Sequence, residues 1–161
     1  MKKDIFIDNN IASKFCNPLD PEYKKLVKWL ITKTEIEEGV VDEQNAHIVY
    51  SNKLLTEYIR SAKDARSNTS MPAIIDKMTR EGRYIKISNA EIKDFQKEYF
   101  TKKVLKNLLS NKEDKEHIPV VMLSERQFVL AYDVNFTHDL ENFKGFKGQV
   151  EKRPEDLPYS Q

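Results

Sequence analysis

The sequence predicts an α/β domain: a three-layer α/β/α sandwich built on a central, mostly parallel sheet. Three observations carry this. Short apolar runs recur at Ile5-Phe6-Ile7, His47-Ile48-Val49-Tyr50, Tyr84-Ile85-Lys86-Ile87 and Phe128-Val129-Leu130-Ala131-Tyr132. Longer stretches with helical spacing of apolar residues separate them. Helix-starting residues stand just ahead of those stretches. Strands that alternate with helices are joined by crossovers, so they run parallel and both sheet faces are covered.

The elements follow in order. Lys3 to Asp8 reads as a short buried strand that ends at an acid. Asp20 is placed as a helix N-cap with Pro21 at the first helical position, where its missing N–H costs nothing. Leu26, Val27, Trp29 and Leu30 then form one face up to about Ile31. Thr32 to Gln44 is polar and contains Gly39, which suits a loop or a frayed helix. Ser51 caps the next helix, whose apolar face is Leu54, Leu55, Tyr58 and Ile59. Asp64 to Ser70 is a polar break. Pro72 to Arg80 is helical with Ile74, Ile75 and Met78 inward, and Gly82 stops it. Ser88 caps a long helix expected from about Ala90 to Leu109. Ser110 to Glu116 reads as a charged loop. His117 to Leu123 is a short apolar helix whose Pro119 fits only its first turn. The last strand ends at Asp133. One domain is expected over 1–150, followed by a polar tail, 151–161, carrying Pro154 and Pro158.

Composition narrows the class. The chain has 161 residues, with 39% hydrophobic and 33% charged, a globular balance rather than a disordered or fibrous one. Lys plus Arg total 27 against 26 for Asp plus Glu, a net charge of +1. No global basic field draws such a chain onto nucleic acid, so any such contact needs a local patch. The lone Cys16 excludes an intrachain disulfide, and no Cys/His cluster has zinc-finger spacing. The opening apolar stretch is too short for a signal-peptide core, and no run approaches membrane length. The expected setting is the cytoplasm, with no membrane partner.

The acids fall where a ligand crevice is expected. In open parallel sheets the crevice lies outside the carboxyl ends of the strands. Asp8 ends the first strand and Asp133 the fourth; Glu57 lies in the helix after the second strand, and Asp114 opens the short helix before the fourth. Four carboxylates in one crevice repel one another, and desolvation opposes their charged forms. A hard divalent cation relieves both, since it prefers oxygen ligands.

That order of acids resembles the PIN domain family, over almost the full chain. I-F-I-D-N-N resembles the family's opening strand and first acid, and I-V-Y-S-N-K-L-L-T-E-Y-I the strand, serine and helix that carry its glutamate. E-D-K-E-H-I-P-V-V-M-L resembles the helix opening with the third acid, and F-V-L-A-Y-D-V-N-F the strand and turn of the last. The resemblance implies an endoribonuclease that hydrolyses RNA phosphodiester bonds with Mg²⁺ or Mn²⁺. Asp8, Asp114 and Asp133 would be metal ligands, and Glu57 would orient a second metal or the attacking water. Asp139 either assists as an extra acid or serves a helix N-terminus. Single-stranded or structured RNA is the implied substrate. An antitoxin or other protein partner and a homodimer are compatible, in a toxin–antitoxin, defence or RNA-maturation setting.

The chain also departs from that pattern. The family often has Ser or Thr two residues before the last acid, where this chain has Ala131. The stretch from Asp8 to Glu57 is longer than in compact members, which suggests an extra turn or loop near Glu35 to Gln44. The alternative is a catalytically inactive PIN-like module that binds RNA or protein. Metal among the acids favours the enzyme; a Lys or Arg paired into them favours the module. His47, His117 and His138 are scattered without paired ligand spacing, so no chemical role is expected of them. Arg60, Lys63, Arg66 and Arg80 either line a phosphate path or form a solvated face.

Overall fold

Strand β1 (Lys3–Ile7) takes its position from four consecutive buried residues, Asp4 to Ile7, which only a central strand can cover on both faces. The structure, a computed structural model, describes residues 1–62 and 67–161. β1 pairs in parallel with β2 (Ala46–Tyr50), Ile5 beside Ile48 and Phe6 beside Val49. On its other edge it pairs in parallel with β4 (Phe128–Leu130), Phe6 beside Val129. β3 (Tyr84–Lys86) extends the sheet beyond β2, and β5 (Gln149–Glu151) extends it beyond β4. The order is β3-β2-β1-β4-β5 and every pairing is parallel, so the sheet is wholly parallel.

Helices cover both faces. α1 (Asn9–Ala12) and α2 (Pro21–Ile31) lead from β1 to β2; α3 (Asn52–Ser61) and α4 (Met71–Arg80) lead to β3. α5 (Asn89–Tyr99), α6 (Lys102–Asn107), α7 (Lys112–Lys115) and α8 (Ile118–Met122) return the chain to β4, and α9 (Val134–Glu141) leads to β5. Right-handed crossovers put α2 and α4 together on one face, where they pack on each other and on β2. The return leg covers the opposite face, where the Phe6 ring meets His117 at 5.8 Å and Phe136 at 6.1 Å. The expected caps form: Asp20, Ser51 and Ser88 accept from the amides of Glu22, Leu54 and Glu91.

Three segments differ from the sequence expectation. The long helix over 90–109 breaks at Phe100, where Thr101 caps a second helix through the Val104 amide. The turn lets the Phe100 ring pack against Phe95 at 6.1 Å and Phe143 at 6.0 Å, a gain in aromatic burial that a continuous helix would forgo. The charged stretch 110–116 is not all loop, because Asn111 caps the single turn α7. The segment 151–161 is not a free tail. Its first residue completes β5, Leu157 and Tyr159 are buried, and Arg153 pairs with Asp20 at 2.7 Å. Trp29 is half-buried and packs edge-on against Tyr159 at 5.0 Å. Glu35 to Gln44 stays a loop, held by Asn45, whose side chain exchanges hydrogen bonds with the Thr34 backbone at 2.6 and 2.7 Å.

The approach to β5 depends on a close contact. A Cβ on Gly148 would lie 1.9 Å from the carbonyl oxygen of Gln127. Backbone must move to make room, so Gly148→Ala is expected to cost about 1–3 kcal/mol in chemical denaturation. Unchanged stability would show that β5 does not depend on this approach.

Candidate functional site

The strand order reverses at β1. The chain first steps from β1 toward β2 and β3, then returns to lay β4 and β5 on the other side. At such a switch point the helices leaving adjacent strands diverge to opposite faces and open a crevice at the carboxyl edge. Asp8 immediately follows β1, and its N–H donates to the Leu130 carbonyl of β4 at 2.9 Å, so it stands on that boundary. Asp133 lies on the other wall, as the N-cap of α9, where its Oδ1 accepts from the Phe136 amide at 2.8 Å. Contrary to the sequence expectation, it does not end a strand: β4 stops at Leu130, and Ala131 is fully buried with its N–H donated to the Glu151 carbonyl.

Glu57 and Asp114 complete the group from the other elements. Glu57 sits on α3, and one of its oxygens meets His117 Nε2 at 2.9 Å. Asp114 lies inside α7 rather than opening a helix; Asn111 is the cap and receives the Asp114 N–H at 2.8 Å. All four acids are half-buried. Their charges act on one another. Burial pushes the Asp8 carboxyl up to about 6, with Asp114 and Glu57 adding to the rise and His117 opposing it. Burial also raises Asp114, with Asp133 and Glu57 adding and His117 and Lys53 opposing.

His117 is the residue the sequence did not single out. It is buried at the start of α8, against the Phe6 ring, and donates to Glu57. One signal was present: it lies a single helical turn after Asp114 and opens an apolar helix. Its Nδ1 and the Oδ1 of Asn9, next to Asp8, are buried without a hydrogen-bond partner among the described residues.

Asp139 does not join the group. It is 2% exposed, and its carboxylate accepts from the amides of Leu109 at 2.9 Å and Ser110 at 2.8 Å and from the Ser110 hydroxyl. It faces inward from α9 and anchors the segment that leads into α7, so it is a structural acceptor rather than a metal acid. His47 is a buried core histidine bonded to the Asn45 carbonyl, and Cys16 is half-buried.

No Lys or Arg among the described residues forms an ion pair with any of the four acids. Lys53 is nearest in its effect, and it pairs with Glu116 at 2.7 Å. Arg60 is exposed on α3, and Arg80 pairs with Asp76 at 3.0 Å. Lys63 and Arg66 lie outside the described residues. The acids are not drawn into a finished cage: among the described residues, no three His, Cys, Asp or Glu side chains are grouped to hold a metal ion. The donor set fits a hard divalent cation in kind: all oxygen and part-exposed, with no Lys or Arg among the described residues ion-paired to it.

No family model, curated protein or solved structure matches the chain. No helix of the described residues is long and apolar enough to cross a membrane.

The raised Asp8 carboxyl gives a signed prediction. Its folded value, about 6, lies above the ordinary 3.8, so the fold disfavours the ionised form. That cost is present in full above pH 6 and fades as pH falls toward 4. Asp8→Asn should therefore raise the stability of the metal-free protein at pH 7.5, on the order of 2 kcal/mol. The gain should vanish below pH 4. Melting curves across pH test this, and an Asn variant no more stable than the parent at pH 7.5 contradicts it.

Proposed function

We propose that the chain is a Mg²⁺- or Mn²⁺-dependent nuclease that hydrolyses RNA phosphodiester bonds. One observation carries this above the rest: four half-buried carboxylates from four separate elements act on one another at the switch-point crevice, with no described Lys or Arg paired to them. Asp8, Asp114 and Asp133 would hold the cation. Once bound, the ion would supply polarisation of a phosphate oxygen and a more acidic water. Glu57 is kept in orientation by His117 and retains a second oxygen outside that bond, suited to orient the attacking water. Asp133 is fixed by its own cap, and Asp114 by the Asn111 cap of α7, so neither depends on a long flexible arm. Choice of RNA over other phosphodiesters rests on the likeness of the acid order to the PIN pattern. The chain would reach its substrate through phosphate contacts from Lys and Arg side chains.

A second reading is a PIN-like module that binds RNA or protein without cutting. It is supported by the bond that ties Glu57 to His117, and by a buried methyl at Ala131 where the family often carries a hydroxyl.

Cleavage of mixed RNA substrates with Mn²⁺ decides between them. Asp8→Asn, Asp114→Asn and Asp133→Asn should each lower the rate by about a hundredfold or more while the fold is kept. Double variants should lose little beyond the singles, because residues that act as one unit are not additive. Full activity in Asp8→Asn would place the cutting elsewhere. No cleavage by the parent chain, with Mn²⁺ binding absent in calorimetry, would favour the module.

A further inference from the structure

The carboxyl edge carries a second group of polar side chains, beside the acids and on the α2 side of the sheet. Tyr132, the residue before Asp133, reaches toward α2, where its hydroxyl meets the hydroxyl of Tyr23. Lys14, in the turn that follows α1, donates from Nζ to the same Tyr132 hydroxyl at 2.9 Å. Its ammonium lies 4.6 Å from the centre of the Tyr132 ring and 5.9 Å from that of Tyr23. The chain that carries Lys14 leaves directly from the site: Asp8 occupies the N-cap position of α1, and Lys14 stands six residues further on, roughly 9 Å at the helical rise. Lys14 is therefore tied to the Asp8 segment through its backbone and to the neighbour of Asp133 through its side chain.

A surface lysine is ordinarily a flexible arm. This one is held by a hydrogen bond and by two ring faces, and all of these partners are neutral. Among the described residues Lys14 forms no ion pair with an Asp or Glu. An ammonium has three N–H donors, and Tyr132 receives one of them. The residue is exposed, so the other two face water.

Its cationic neighbours at this edge are neutralised. Arg153, 5.1 Å from the Tyr23 ring centre, pairs with Asp20 at 2.7 Å and with Glu155 at 2.9 Å. Lys53, on α3 and close enough to act on Asp114, pairs with Glu116 at 2.7 Å. Of these three cations, the uncancelled charge belongs to Lys14.

We propose that Lys14, seated on Tyr132, holds a backbone phosphate of single-stranded RNA beside the scissile one, so that the strand crosses the carboxyl edge over α1. The proposal rests on the nuclease reading of the crevice and deepens it by naming a substrate contact. Four carboxylates repel an approaching phosphate, and a fixed cation beside them offsets that repulsion where the strand must pass. The ammonium already covers the Tyr132 ring, so the feature offers a point charge with free donors rather than a platform for a base. Its match is a phosphate oxygen.

The test is fluorescence anisotropy with a labelled 12-residue single-stranded RNA of mixed sequence. It uses the full chain carrying Asp8→Asn, in EDTA, so that nothing is cut. Lys14→Met should weaken binding about fivefold and reduce the log–log salt slope by about 0.7, the loss of one phosphate contact on a single strand. Lys14→Arg should keep the parent's slope, because the charge remains. Tyr132→Phe keeps the ring and removes the acceptor. It should weaken binding about twofold with the slope unchanged, since it frees the lysine without discharging it. A lysine that only braced the fold would not move the salt slope, and the melting temperature of Lys14→Met should stay near the parent's because the side chain is exposed.

A parent slope and affinity retained in Lys14→Met overturn the proposal. So does a loss of slope in Lys14→Arg equal to that in Lys14→Met, and so does a parent that binds no RNA. A polyglutamate peptide that competes as well as RNA also overturns it, by showing a contact for any anion. The two claims fail separately. If the parent cuts RNA with Mn²⁺ and the Lys14→Met chain binds and cuts like it, only the phosphate contact is wrong. If Lys14→Met loses affinity and slope while the parent never cuts, the contact stands and the nuclease reading falls.

Discussion

β1 is hydrogen-bonded along both edges, to β2 on one side and β4 on the other, and both partners run parallel to it. That double pairing forces the chain to leave β1 in one direction and return to its other side. The reversal opens the crevice, and the first residue past β1 is an acid. A different order would separate Asp8 from Asp133. The buried run from Asp4 to Ile7 maintains the arrangement, since slipping the register by one residue would reverse which face each side chain covers. Asp4, inside that run, is satisfied by the amides of Glu125 and Arg126 at 2.8 and 2.9 Å, which hold the entry to β4 against β1.

The crevice stores repulsion rather than stability. Burial and neighbouring carboxylates oppose the ionised forms of Asp8 and Asp114, and His117 is the side chain whose charge acts against both effects. Its position is set by packing on Phe6 and by the bond to Glu57. The rest of the fold tolerates the cost because capping residues hold the acids in place. Asp133 caps α9, Asn111 caps the turn that carries Asp114, and Asp139 fastens the segment before it. A cation would turn the same repulsion into attraction, which is the physical reason for reading the site as a metal centre.

Much of this was legible in the sequence where local chemistry decides structure. Ser51, Ser88 and Asp20 cap helices where their side chains can reach free amides, and apolar periodicity located β1, β2 and the inward face of α4. What was missed depended on distant partners. β5 is three residues long with one buried side chain, Val150, too little to register as a strand without β4 beside it. The break at Phe100 follows from rings on α5 and beyond α9 that meet only in the folded chain. Asp139 and His117 could not be ranked correctly, because a buried acceptor and a metal acid look the same in sequence until their partners are known. Of the four acids, Asp8 stands directly after β1 as its place in the sequence implied, whereas Asp133 caps α9 beyond the end of β4 and Asp114 lies inside α7.

The claim on which the rest depends is that these acids share a cation. Crystals grown with Mn²⁺ and measured near the manganese absorption edge test it directly. The account predicts an anomalous peak in the crevice, with carboxylate oxygens of Asp8 and at least one of Asp114 and Asp133 at coordinating distance. A well-ordered crevice with no such peak at millimolar Mn²⁺, or with a lysine or arginine side chain seated between the acids, would contradict it.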